Sequence, residues 1–394
     1  MGFIAKGRSI AVVEETAFGQ GNTVADSDYI DYTSADISAD VEQLQRDVIR
    51  NSLLNVESVL GQETSSGTIE VEVTPTDSTG AKLNADLLFK NGIGKKLSYV
   101  QTNVDDSGDT ATTTQFDVDD ATGIEVGQVL RVALSTGAEI VQVTDVTGNT
   151  LTVQPALSTA PEDDDVVEAA LTYILPRPND AVASLMVREH LADTSGTKLI
   201  DYDYKGCMIT SVSLTYPVGQ ICKASFSTTG AGFTIDSNAD SISLPCDLVS
   251  PVVGKNAKFT YIDSDGVSHS YDAQDVSVKV DTQTTNINAI TTDGISKIVG
   301  ISKTATGSFK MEYTGTDNFE AFKAGDKGTL VLSLNRGGKS DPYVTGLVAP
   351  SIKFTKVSKS EDGGILYDNI EFECLSVSCD GNERAASLYF LPNS

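Results

Sequence analysis

The stretch Gly67-Thr-Ile-Glu-Val-Glu-Val-Thr-Pro-Thr-Asp77 returns 240 residues later as Gly307-Ser-Phe-Lys-Met-Glu-Tyr-Thr-Gly-Thr-Asp317. The glycine, Glu72/Glu312, Thr74/Thr314, Thr76/Thr316 and the closing aspartate coincide without a gap. The apolar positions coincide too, with Ile69, Val71 and Val73 opposite Phe309, Met311 and Tyr313. Period-two alternation is the pattern of a strand with one buried and one polar face. A gap-free echo of this length predicts one structural unit present twice.

The residues after each copy support the duplication. After Asp77, the run to Gly92 predicts a helix capped by Asp77 or Ser78, with Leu83, Leu87 and Leu88 on one face and Asn91-Gly92 as its stop. After Asp317, the run to Gly325 is a shorter version of the same helix. A hairpin predicted over Gly206–Phe226, turning at Pro217–Gln220, is echoed within residues 347–375, with Phe372 taken as the counterpart of Phe226. From Gly67 to Phe226 is 159 residues and from Gly307 to Phe372 only 65. Most of that excess falls in residues 101–170, which hold fourteen acidic residues, one basic residue (Arg131) and short alternating runs separated by Gly-containing turns. Such a segment reads as a small antiparallel β domain.

The expected organisation is therefore mainly β (α+β). One module spans 1–100 and 177–245, an all-β insertion spans 101–176, and a second module spans 246–394. Two stretches stay open. Residues 1–35 suggest a strand over Ser9–Val13 and a turn-rich arm around Phe18. Residues 36–66, with Arg46-Asp-Val-Ile-Arg50, fit either an amphipathic surface helix or a long extended arm.

The chain is 394 residues with a formal net charge of −27, which argues against holding nucleic acid by phosphate neutralisation. Five cysteines (Cys207, Cys222, Cys246, Cys374, Cys379) lack zinc-site spacing and read as reduced core thiols. The opening residues carry no adequate apolar h-region and no apolar run reaches membrane-spanning length, so a non-secreted protein without a membrane role is expected.

Motifs that carry chemistry are matched only in fragments. His190 and His269 lack ligand spacing and read as exposed strand or turn residues. Gly337-Gly-Lys-Ser340 ends like a phosphate loop, but Ser333 stands in place of its first glycine. Asp263-Ser-Asp-Gly266 lacks the downstream glutamate of a calcium loop and reads as the turn of a Tyr261–Tyr271 hairpin, and Pro161–Asp165 reads as a solvated acidic loop. No catalytic residue, cofactor site or metal site is expected. The expected role is structural, with sheet edges paired between copies.

The chain resembles the tail tube (major tail) proteins of long-tailed bacteriophages. The resemblance rests on Glu15-Thr-Ala-Phe-Gly19, on Arg46-Asp-x-Ile-Arg50 with Ser52, on Gly67–Asp77 with its helix, and on the Gly206–Phe226 hairpin running into Ser227-Thr-Thr-Gly230. It implies two tandem β-sandwich or half-barrel modules, each with a flanking helix. It implies rings of six modules, hence three copies of a two-module chain, stacked into the tube through which DNA leaves the capsid. The implied partners are other copies of the chain and the tape-measure, tail-terminator and distal tail proteins, with DNA passing an acidic lumen unbound and the acidic insertion outside. It also implies a virion protein made in the host cytoplasm. Arg46, Asp47, Ile49, Arg50, Leu53 and Leu54 become candidates for a ring-stacking arm, and Glu70, Glu72, Lys310 and Glu312 for lumen or inter-subunit strands. The alternative is a β-rich capsid decoration or a surface adhesion or glycan-binding protein.

Overall fold

The structure, a computed structural model, describes residues 3–46, 57–105, 111–175, 182–193, 199–237, 239–244, 249–289, 294–335, 343–376 and 385–392. The chain begins with β1 (Phe3–Glu14), β2 (Tyr29–Ile30), β3 (Ser34–Leu44), β4 (Val59–Glu72), helix α1 (Asp86–Gly92) and β5 (Lys95–Leu97). A compact group comes after it: β6 (Val100–Asn103), β7 (Gln115–Asp117), β8 (Val129–Leu134), β9 (Gly137–Thr147), β10 (Thr150–Gln154) and β11 (Val166–Ala169). Next come β12 (Leu171–Ile174), β13 (Leu185–Asp193), β14 (Leu199–Tyr216), β15 (Lys223–Gly230) and β16 (Gly232–Asp236). The remainder holds β17 (Lys258–Ile262), β18 (Ser268–Ser270), β19 (Gln274–Ala289), β20 (Gly294–Glu312), helix α2 (Asp317–Ala324), β21 (Lys327–Asn335), β22 (Tyr343–Asp362), β23 (Ile365–Cys374) and β24 (Ser387–Phe390).

Strand pairing repeats across the two halves. In the first, β1 pairs with β13, β13 with β14, β14 with β15, β15 with β4, and β4 with β3, all antiparallel. In the second, β17 pairs with β21, β21 with β22, β22 with β23, β23 with β20, and β20 with β19. Gly67 lies between Ile37 and Thr228, and Gly307 between Val278 and Phe372. Even the irregularities match. The ladder of β14 slips between Ile209 and Ser211, setting Thr210 out as a bulge, and that of β22 slips between Phe354 and Lys356, setting out Thr355. These registers make Ile370, opposite Phe309, the counterpart of Phe226, which stands opposite Ile69. The sequence match of Phe226 to Phe372 is thus two residues out. A two-residue slip leaves every side chain on the same face, so alternation alone does not detect it.

Both halves share one core. Ile69, Val71, Phe226, Val212 and Leu214 meet Val278, Phe309, Phe354 and Phe372 in a single buried cluster. Helix α1 supplies Leu88 and Phe89 to it, and β24 supplies Phe390.

Of the two forms open for residues 36–66, the structure has the extended one, with β3 and β4 paired antiparallel. Other expectations are corrected. The first helix begins at Asp86, behind Ala85 in the left-handed region (φ 59), well after the predicted cap. Asp77 instead closes the preceding turn, its carboxylate accepting the N–H groups of Thr79, Ala81 and Lys82. An aspartate organises either motif with the same acceptor oxygens, which is why the sequence does not choose between them. The second helix forms over Asp317–Ala324 and stops at Gly325 in the left-handed region (φ 73). His190 is buried, with Nδ1 2.7 Å from Asp201, and not exposed. His269 does lie in the Tyr261–Tyr271 hairpin, stacked on both tyrosines. The residues 337–340 lie outside the described ones.

The acidic segment forms its own sheet in the order β6-β11-β8-β9-β10-β7. A bridge between Val104 and Val118 joins its two ends, with the Asp105 N–H donating to Asp117 and the Asp119 N–H to Asn103, so the sheet closes into a small barrel. Closure removes both free edges. Val104, Phe116, Leu130, Val141 and Leu151 fill its interior. One boundary moves: β12, expected inside the 101–176 insertion, pairs with β5 and β24 of the large sheet. The barrel rests on the second half through Val129 and Ile140 against Val331, Val348 and Tyr389, and through Gln142, which donates to Ser387 Oγ at 2.6 Å.

Candidate assembly interface

One run of the large sheet is β3-β4-β15-β14-β19-β20-β23-β22, four strands from each half. Its centre is a junction between the halves. Ser211–Tyr216 of β14 pair with Val276–Asp281 of β19, Val212 opposite Val280 and Leu214 opposite Val278. One face of the run is the core just described. The other is polar, carrying Glu70, Ser225, Ser213, Lys279, Ser308 and Glu371. Among the described residues, β3 pairs only with β4, and β22 beyond Lys353 pairs only with β23. Both ends of the run are therefore open strand edges, and at the β3 end the Ala35 and Ile37 carbonyls accept from the Arg8 and Tyr204 side chains of the same chain.

The sequence candidates distribute over this sheet. Glu70 and Glu72 lie on the polar face of β4, and Lys310 and Glu312 at the matching positions of β20. Four strand spacings separate the two pairs, roughly 19 Å, so each pair acts locally. Lys223 donates to Glu70 at 2.7 Å and Thr33 at 2.8 Å, and these bonds hold the Glu70 carboxyl below its ordinary range. Lys310 lies 4.1 Å above the Tyr367 ring and 3.5 Å from Asp362. Lys279 pairs with Asp281 and Lys356 with Glu371. These four lysines are thus held by neighbouring carboxylates. Arg46 ends the described part of the proposed arm, exposed; Asp47, Ile49, Arg50, Leu53 and Leu54 lie outside the described residues.

Two ribbons run beyond the sheet; sequence reasoning left the first open as an extended arm and missed the second. In the second half, β19 and β20 continue as a pair from Thr282/Lys303 to Ala289/Gly294, beyond the reach of β14 and β23. This ribbon folds onto the first half, where Ile295 and Ile298 pack with Met208 beside Phe18, Val182 and Ala231. Its root carries Lys303, whose Nζ donates to the carbonyls of Asn91 (3.1 Å), Gly92 (2.6 Å) and Ile93 (3.2 Å) at the end of α1. A cation there meets the negative end of the helix and satisfies its orphan carbonyls. In the first half, the corresponding ribbon of β3 and β4 has no such seat among the described residues. Its Leu44, Val59 and Leu60 are 48%, 52% and 70% exposed.

Burial pushes the Lys303 ammonium down to about 8 from its ordinary 10.5. Between those values the unfolded chain holds the proton that the folded chain has released, so stability rises with pH. Relative to Lys303→Met, the wild type should gain up to roughly 3 kcal/mol between pH 8 and 10.5. Denaturant unfolding of both proteins across that range checks this. A constant difference would mean that the amine titrates alike in both states.

The thiols show no comparable poise. Cys207, Cys222 and Cys374 are buried, free, and pushed up to about 12 by burial.

An extended sheet whose strand pairing repeats across the two halves, open at two edges and polar on one face, suits a structural scaffold. Among sequence families, the one described as phage tail tube protein matches residues 6–374. This chain belongs to the phage tail tube protein family. The match spans both halves and the acidic barrel between them. Comparison with curated proteins found no match. Membership makes the chain a structural component of the phage tail and not an enzyme, and favours the tail-tube resemblance over the decoration and adhesion readings.

Proposed function

We propose that copies of this chain join edge to edge into three-membered rings, which stack into the tail tube as the conduit for DNA ejection. The observation that carries the proposal is the central β14–β19 junction. It joins two equivalent half-sheets within one chain, while the equivalents of its two strands, β22 and β3, are the open ends of the same run. Repeating the junction between chains is a heterologous contact, and such contacts close into a ring when the rotation allows. Three copies supply the six half-sheets that the family resemblance calls for.

In this arrangement the polar face lines the lumen. Its carboxylates repel DNA phosphates, and its lysines are already held by acidic neighbours, so the genome slides without adhering. The exposed ribbon of β3 and β4 reaches the next copy or the next ring, as the β19–β20 ribbon reaches the first half. The acidic barrel projects outward, and tape-measure, terminator and distal tail proteins meet the tube at its axis and ends. Synthesis takes place in the host cytoplasm.

Negative-stain microscopy of the purified protein tests the proposal, with mass measurement of the smallest closed species. Hollow tubes or rings built of three chains are expected. A protein that stays monomeric at high concentration under all assembly conditions would sink it.

A further inference from the structure

Resting on that reading of open edges, the geometry points to a defined register for the contact between copies: β22 of one copy runs antiparallel to β3 of the next, with Lys356 opposite Asp40 and Ser358 opposite Ser38. Pairings inside the chain are enough to fix it. Gly67 and Gly307 are equivalent, so Ile37, opposite Gly67, corresponds to Val278, opposite Gly307. By the same rule Ser38 corresponds to Lys279, and Asp40 to Asp281. On the other side, the shared bulge makes Ser211 correspond to Lys356 and Ser213 to Ser358. The internal junction sets Ser211 opposite Asp281 and Ser213 opposite Lys279. Transferring it to the open edges gives the register stated.

Charge distribution agrees with the transfer, although charge played no part in deriving it. The open edge of β22 carries Lys356 and Lys359, and that of β3 carries Asp36, Asp40 and Glu42. At the internal junction, Asp281 is neutralised by Lys279 of its own strand, 2.9 Å away. Strand β3 contains no lysine, and Ser38 stands at the position of Lys279. The cation that Asp40 needs is supplied across the seam by Lys356, which also holds Glu371 at 2.6 Å.

The two junctions also differ on their core face. Inside the chain the row is apolar: Val212–Val280, Leu214–Val278 and Tyr216–Val276, all buried. Between copies it becomes Val357–Ala39, Lys359–Ile37 and Glu361–Ala35. A covalently joined junction starts from a high effective concentration and can rely on non-directional burial. A junction formed between free copies must reject wrong registers, and opposite charges in facing positions do so, because a one-residue slip turns Lys356 away from Asp40.

Paired substitutions test the register. Ser38→Cys with Ser358→Cys should give covalently linked chains under mild oxidation, up to a closed three-chain species on denaturing gels, since facing residues of an antiparallel pair lie within disulfide reach. Ser38→Cys with Ser360→Cys, and the wild type with its native cysteines, should not. Asp40→Lys and Lys356→Asp should each raise the concentration needed for assembly about tenfold, and the double exchange should restore it to within about twofold. Rings or tubes that link through the 38/360 pair, or that ignore the charge exchange, would overturn the register while leaving edge-to-edge assembly intact. A wild type that forms no rings would overturn both.

Discussion

Replacing Phe89 by alanine is expected to destabilise the chain by about 4 kcal/mol, the largest single-residue loss foreseen in the core. The ring is almost fully buried and is met by three others: Phe226 edge-on at 5.0 Å, Phe390 at 5.3 Å and Tyr173 at 5.6 Å. These rings come from α1, β15, β24 and β12, so one side chain ties the first hairpin, the C-terminal strand and the strand that comes after the barrel. Truncation removes the transfer energy of the ring and leaves a cavity whose walls, being rings themselves, collapse poorly. Denaturant unfolding under conditions that keep the chain unassembled gives the number. Phe319→Ala, on the exposed side of α2, is the control and should change stability by less than about 0.5 kcal/mol. A Phe89→Ala loss as small as that of the control would refute the idea that these rings pack as a unit.

The second large effect is expected at Gly67. A Cβ there would stand 2.6 Å from the Ile37 Cα and against the Asp36 carbonyl, which are backbone atoms of the paired strand and cannot rotate away. Its counterpart Gly307 is equally tight, with Ser277 O and the Phe372 ring within 2.8 Å of such a Cβ. The neighbouring backbone and the Phe372 ring occupy the space a side chain would need, so glycine at these positions serves close packing and not turning. Gly67→Val should cost about 3 kcal/mol or more and push β3 off β4, taking an open edge with it. Lower soluble yield, an earlier unfolding midpoint and loss of tubes should therefore appear together. Gly315→Ala, where nothing approaches, should leave all three unchanged. Wild-type assembly by Gly67→Val would show that the strand pair yields more readily than its backbone contacts suggest.

Gly67 opens the stretch that repeats at Gly307, and Phe89 lies in the helix behind it. The alternation of that stretch and its glycine were readable because period two and a missing side chain are local properties, set by each residue and its immediate neighbours. The echo of that stretch at Gly307, the alternating runs of the acidic segment and the second helix with its glycine stop were readable for the same reason. Net charge and the absence of catalytic spacing narrowed the function without any geometry.

Local signals stopped being sufficient where two folds of the same segment satisfy the same groups. Asp77 accepts backbone N–H groups equally well in a turn or at a helix start, and the turn was chosen by the packing of α1 against β14. Residues 36–66 alternate loosely enough to suit a helix or an extended arm, and the pairing of β3 with β4 and of β4 with β15 settled it. His190 looked exposed because its partner, Asp201, comes from the facing strand β14. Lys303 gave no signal at all, since the carbonyls it holds lie more than 200 residues away at the end of α1. The junction of β14 with β19, and the two open edges equivalent to it, likewise exist only once the strands are ordered in space. Composition and periodicity determined a mainly β chain with an alternating stretch that recurs, because both are set residue by residue; long-range pairing decided which strand edges are joined within the chain and which stay open.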